Sequence, residues 1–279
     1  MGSKVACEAR RSFFPGIFDV KSRRQPNPAA SGDKSMAMNE PFDWRRSERR
    51  LFLIVAIAFP LIVIAGFGPT YYFKPISGGP PLPSLLVHTH GLLMSAWIVF
   101  FVAQVWLIRT KNAKTHMNIG LVGIALAILM VIVGFFTAAA AARNGSPSSP
   151  PDIPPLAFFV VPFFDILLFA GLFTAAVYYR KRPANHKRLM LLTVLNFLPP
   201  AVGRLPVAAF QSLGPLFFFG VPAVLAIVLL AYDTWANKKL NKVFLVGAIV
   251  LIASYPLRML LAGTPAWMAF AAWVTSWAA

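Results

Sequence analysis

Charge is scarce in this sequence, and acid is scarcer than base. Asp, Glu, Lys and Arg make up 13% of the 279 residues, whereas a soluble domain carries about 25%. Nine acidic side chains stand against 26 basic ones, for a net charge of +17. That is too little charge to clothe the water-facing surface of a helical domain this size. Cysteine is nearly absent too. Cys7 stands alone, which excludes a disulfide within the chain, a thiolate metal centre and a CxxCH haem attachment. HExxH, GxSxG and Walker sequences are missing, so familiar zinc-hydrolase, serine-hydrolase and nucleotide-binding machinery has no visible basis. No catalytic residue and no metal ion held by protein ligands alone is assigned. Whether the protein is an enzyme stays open.

What is abundant is apolar sequence. It amounts to 58% of the chain and falls into runs of roughly 18 residues or more, enough at 1.5 Å per residue to cross a hydrocarbon core of ~30 Å. Seven such segments are read, at 51–69, 85–108, 119–142, 156–179, 189–210, 216–234 and 243–262. The expected fold is all-α: a multi-pass membrane bundle of seven transmembrane helices over residues 51–262. Residues 1–50, with 11 basic and 6 acidic side chains and no apolar run, read as a disordered basic arm rather than a cleaved signal. Met36 and Met38 are alternatives to Met1 as the true start. The uncharged tail 263–279 reads as an interfacial helix anchored by Trp267, Trp273 and Trp277.

The placement of the basic residues sets an orientation. The arm, the 109–118 loop, the 180–188 loop and the 235–242 loop together hold 22 Lys and Arg, and the alternate loops hold only Lys74 and Arg143. Cytoplasmic loops carry such an excess, so the N-terminus is expected in the cytoplasm and the C-terminus outside. The lipid bilayer is the expected partner, with anionic headgroups against the basic loops. Nucleic acid is not.

Several polar side chains interrupt the spans. From the expected topology, His88 and His90 lie roughly 5–8 Å below the outer boundary, Asp165 about 13 Å below it, and Arg204 and Arg258 at about 22 Å from the inner side. Each charge is costly in hydrocarbon, so these groups should face the bundle interior and pair. Asp165 can neutralise either arginine. The remaining cation, near imidazoles, suits a haem propionate, a quinone oxygen or a small carboxylate; a helix-locking pair or a snorkelling Arg is the plainer alternative. His88 and His90 point about 200° apart on a regular helix, so at most one can ligate a given iron. His116 and His186 open two different spans at one depth, which a bis-imidazole haem requires. Exposed histidines in basic loops are also ordinary. Pro199, Pro200 and Pro206 predict a kink or break in the fifth segment.

The segments "HTHGLLMSAWIVFFVAQVWLIRTKNAKTHMNIG" and "NHKRLMLLTVLNFLPPAVGRLP" together resemble a family of uncharacterised bacterial integral membrane proteins. The resemblance implies a multi-pass protein of the bacterial cytoplasmic (inner) membrane and brings no activity with it. A weaker similarity links the intramembrane histidines to b-type haem membrane proteins.

The leading expectation is a redox-linked membrane protein with haem b or a quinone in the outer half of the bundle, drawing on His88, His90, His116 and His186 for the cofactor. The alternatives are a carrier or receptor for a small anionic molecule, bound by Asp165, Arg204 and Arg258, and a non-catalytic accessory subunit. The orientation is directly testable. A reporter that works only in the cytoplasm, fused after Ala279, is expected to be silent; strong activity overturns the orientation or the number of spans.

Overall fold

The computed structural model describes residues 44–78, 84–145, 150, 152–207 and 212–277. Most of the expected basic arm lies outside the described residues. All regular structure among the described residues is helical. Helix α1 runs Trp44–Phe67 and continues through a π-helical turn, Gly68–Tyr72. The short α2 follows at Lys74–Ser77, then α3 at Leu85–Arg109 and α4 at Ala113–Asn144. After them come α5 at Pro155–Phe158, α6 at Val160–Tyr178, α7 at Pro183–Asn196 and α8 at Leu198–Val202. Last are α9 at Pro215–Asn237, α10 at Lys242–Leu261 and α11 at Pro265–Ser276.

The helix ends follow from local chemistry. Ser84, Asn112, Asn241 and Thr264 each accept a hydrogen bond from the backbone N–H three residues on, satisfying an otherwise orphaned donor at the helix start. Pro155, Pro183, Pro215 and Pro265 occupy first helical positions, where a missing N–H costs nothing. Helix α1 begins at Trp44, seven residues before the apolar run and inside the stretch expected to be disordered arm. Its added turns reach a polar end of the bundle, where Glu48 pairs with Lys187.

Six stretches are long and apolar enough to cross a membrane: Glu48–Tyr72, Leu85–Arg109, Ala113–Asn144, Pro155–Lys181, Pro215–Asn237 and Lys242–Leu261. Their outward faces stay apolar; Ile54, Leu121, Val246 and Leu260, for example, are 59–75% exposed. A continuous greasy exterior on this scale is suited to lipid and not to water. This is a multi-pass membrane protein.

The fifth predicted segment behaves differently. It is no long helix: α7 stops at Asn196, α8 holds only five residues, and irregular chain follows. Pro199 and Pro200 lack the N–H groups that would carry α7 onward. The segment is also the most enclosed part of the fold, with Leu189 and every residue from Leu191 to Asn196 buried. Irregular backbone at such depth is tolerated where protein surrounds it. Asn241, in the turn between α9 and α10, donates to Asn185 near the start of α7 at 2.9 Å, so both turns share one end. Helix α6 arrives at that end and so does α9.

Close approach makes this packing possible. A Cβ placed on Gly66 of α1 would stand 2.1 Å from the Ala201 carbonyl oxygen in α8, and one on Gly247 of α10 would stand 2.5 Å from Leu192 of α7. The tail helix α11 is anchored as well: Trp267 is buried and donates from Nε1 to the Leu156 carbonyl at 3.0 Å, while Trp273 and Trp277 are exposed. Gly66→Ala should therefore push α1 off α8 and destabilise the protein by about 1–3 kcal/mol. A lowered thermal unfolding midpoint in detergent is the expected reading; an unchanged midpoint would contradict this packing.

Candidate functional site

Three polar centres interrupt the apolar interior. The first lies far along α10. Arg258, the seventeenth residue of that helix, is fully buried and donates from Nη1 to Oδ1 of Asp165 on α6 at 2.6 Å. Phe164, Phe219 and Tyr255 place their rings 5.5–5.9 Å from the guanidinium carbon, a distance at which a desolvated cation is attracted to an aromatic face. Asn196, the last residue of α7, donates from Nδ2 to the Asp165 backbone carbonyl at 2.8 Å. The break in the fifth segment therefore falls where α7 meets this ion pair. Among the described residues, Arg258 Nε and Nη2, Tyr255 Oη and Asn196 Oδ1 are buried without a hydrogen-bond partner.

Arg258, then, is the arginine that neutralises Asp165. Arg204 makes other contacts: it donates to the Pro200 carbonyl at 2.8 Å and sits 4.7 Å above the Phe67 ring. Its charge is close enough to interact with His90. His90 is half-buried, its Cε1 4.0 Å from where a Cβ on Gly134 would stand. His88 is exposed and packs on Tyr71, ring centroids 5.9 Å apart. The two neighbours in sequence thus serve different surroundings, as their helical spacing dictates.

The second centre joins His116 and His186. They occupy the fourth positions of α4 and α7 and come together from separate turns, with ring centroids 6.3 Å apart and ring planes at 81°. His186 Nδ1 is 2.8 Å from the Ala176 carbonyl. That oxygen can only accept, so Nδ1 carries a proton and Nε2 is the ring nitrogen left for another partner. His116 Nδ1 is buried without a partner among the described residues, and so is Gln104 Oε1 on α3. Farther along the same helices lies a separate aromatic core: Trp97 meets Phe169 and Phe173 at 5.2 and 5.5 Å, with Met130 and Met190 packed around them. Helices α3, α4, α6 and α7 all contribute. Exposed Lys111, Lys114, Arg180, Lys181 and Arg182 surround the same end.

The third centre escaped the sequence reading. Arg188 of α7 grips both oxygens of Asp233 on α9, Nε to Oδ2 at 2.8 Å and Nη2 to Oδ1 at 2.6 Å. Asn237 also donates to Asp233, and Glu48 of α1 pairs with Lys187. One network thereby ties α1, α7 and α9 together. Arg188 had been counted only as one positive charge in a cytoplasmic loop. The available signal was Asp233, an acid near the end of an apolar run that needed a partner.

No protein-family model, no curated protein and no solved structure matches this chain.

Breaking the Arg188–Asp233 pair on one side leaves a buried charge uncompensated, at a cost on the order of 3–5 kcal/mol. Asp233→Leu should lower the unfolding midpoint sharply, and Arg188→Met with Asp233→Leu should recover most of that loss. If single and double variants are equally unstable, the two groups are not coupled.

Proposed function

We propose that this protein carries electrons within a membrane through a b-type haem whose iron is held by His116 and His186. The reading rests on the paired imidazoles. With metal–imidazole bonds of about 2 Å, an ion shared by two rings sets their centroids about 6 Å apart, and the observed separation is 6.3 Å. The hydrogen bond from His186 Nδ1 to Ala176 supports the assignment, because a metal-ligating imidazole donates its other N–H to a fixed acceptor. Among the described residues, no group of three or more His, Cys, Asp or Glu could hold a bare metal ion. Two imidazole nitrogens would suffice for haem, since the porphyrin supplies the remaining ligands. The flanking Lys and Arg suit its propionates, and the Trp97–Phe169–Phe173 core suits its apolar edge.

His116 and His186 would hold the iron, Ala176 would orient His186, and the iron would supply one-electron chemistry. The proposal moves the haem from the outer half, where His88 and His90 had suggested it, to the end with the basic loops. It includes seven membrane crossings, with α7 and α8 as the fifth. The same-end turns at 182–185 and 238–241 support that count, and the basic loops support a cytoplasmic N-terminus and an inner-membrane location.

The full-length protein, purified from cells supplied with haem precursors, should show a Soret band that sharpens on reduction. His116→Ala and His186→Ala should each abolish or shift it, and His88→Ala should leave it unchanged. Absence of haem from a folded preparation, or a spectrum indifferent to both ligand variants, overturns the assignment.

A further inference from the structure

The two buried arginines invite comparison. A guanidinium presents Nε–H and one Nη2–H as parallel donors along one edge, a fork that matches a pair of carboxylate oxygens. In Arg188 that edge holds Asp233, Nε on Oδ2 and Nη2 on Oδ1, while Nη1 goes to the Ala184 carbonyl. In Arg258 the arrangement is inverted: Nη1 holds Asp165, and the Nε and Nη2 edge faces no acceptor among the described residues. The Arg258 side chain is completely buried. Burying donors of a charged group without acceptors is expensive. Tyr255 Oη, three residues earlier on the same helix, and Asn196 Oδ1, at the end of α7, are buried and unpartnered as well.

We propose that the Nε/Nη2 edge of Arg258, with Tyr255 Oη as a further donor, is a binding site for the carboxyl group of a small organic acid. One arginine of this protein already shows what its twin's edge accepts. Charge fixes the form in which the ligand enters. Arg258 and Asp165 together are neutral, so a bare carboxylate would add a net negative charge to a site surrounded by Phe164, Phe219 and Tyr255. An acid that arrives with its proton leaves the centre neutral, the proton lying on either the ligand or Asp165. Only O–H bonds change, and one proton is bound with each ligand. Asn196 Oδ1 is the acceptor available to that proton or to a ligand hydroxyl. The groups facing the centre are Asp165 from α6, Asn196 from α7, Phe219 from α9, and Tyr255 and Arg258 from α10. Acid binding stands independently of haem at the His116–His186 pair, which lies at the other end of the bundle.

Acetate and propionate are suitable probes, with chloride as a single-atom anion and acetamide as a neutral carbonyl. Added to the full-length protein in detergent, each carboxylate should raise the unfolding midpoint saturably by at least about 2 °C, more strongly as pH falls. Chloride and acetamide should not. Arg258→Lys keeps the charge beside Asp165 but lacks the fork, and should lose the effect. Should that variant fail to fold, Tyr255→Phe tests the same site, with affinity lowered roughly tenfold. Arg204→Lys should respond like the parent protein. An equal shift with chloride, an undiminished shift in Tyr255→Phe, or no shift with either carboxylate overturns the proposal, the last leaving the Arg258 edge to bound water.

Discussion

Two ion pairs at opposite ends of the bundle hold its least regular segment. Arg188 leaves the second turn of α7 to meet Asp233 on α9, and Asn196, at the other end of α7, meets the carbonyl of Asp165, which Arg258 neutralises from α10. Hydrocarbon offers a charge no solvent, so each charged group must find its counter-charge inside the protein. Helices α1, α6, α9 and α10 are positioned in part by that demand. Helix α7 stops early inside the protein, where its last residue, Asn196, donates to the Asp165 carbonyl rather than facing lipid.

The enclosed α7 also brings the histidines together. His186 lies two residues before Arg188, so the ion pair that fixes α7 against α9 fixes the height of His186 opposite His116. The short basic turns from α3 to α4 and from α6 to α7 present the two imidazoles at one level. An apolar aromatic core lies on one side of the pair and a rim of cations on the other. That polarity is what an amphipathic, dianionic, planar cofactor requires. The ion pair at Arg258 lies far from this rim, and its unpartnered guanidinium edge has a different chemical use.

Much of the architecture was legible in the run lengths, because hydrocarbon thickness imposes a length on every apolar helix. Six of the seven predicted segments are long helices, four of them within three residues of their expected bounds, while the first begins at Trp44 and the third at Ala113, seven and six residues early. The prolines of the fifth announced its break. Its burial was not legible, since a lipid-facing and a protein-facing apolar run have the same composition. The candidate site was read by halves. Helical depth placed Asp165 and Arg258 at compatible levels, but depth carries no information about azimuth, and so Arg204 was an equal candidate for Asp165. Azimuth likewise hid the Arg188–Asp233 pair, since a basic residue at a loop boundary looks the same whether it faces water or an acid.

The central claim is that the imidazoles of His116 and His186 share one iron. Electron paramagnetic resonance of the oxidised protein tests it most directly, because two axial imidazoles hold ferric haem in the low-spin state. The account predicts a low-spin ferric signal that becomes high-spin in His116→Ala and in His186→Ala. A high-spin signal in the parent protein, or a low-spin signal untouched by either substitution, would contradict it.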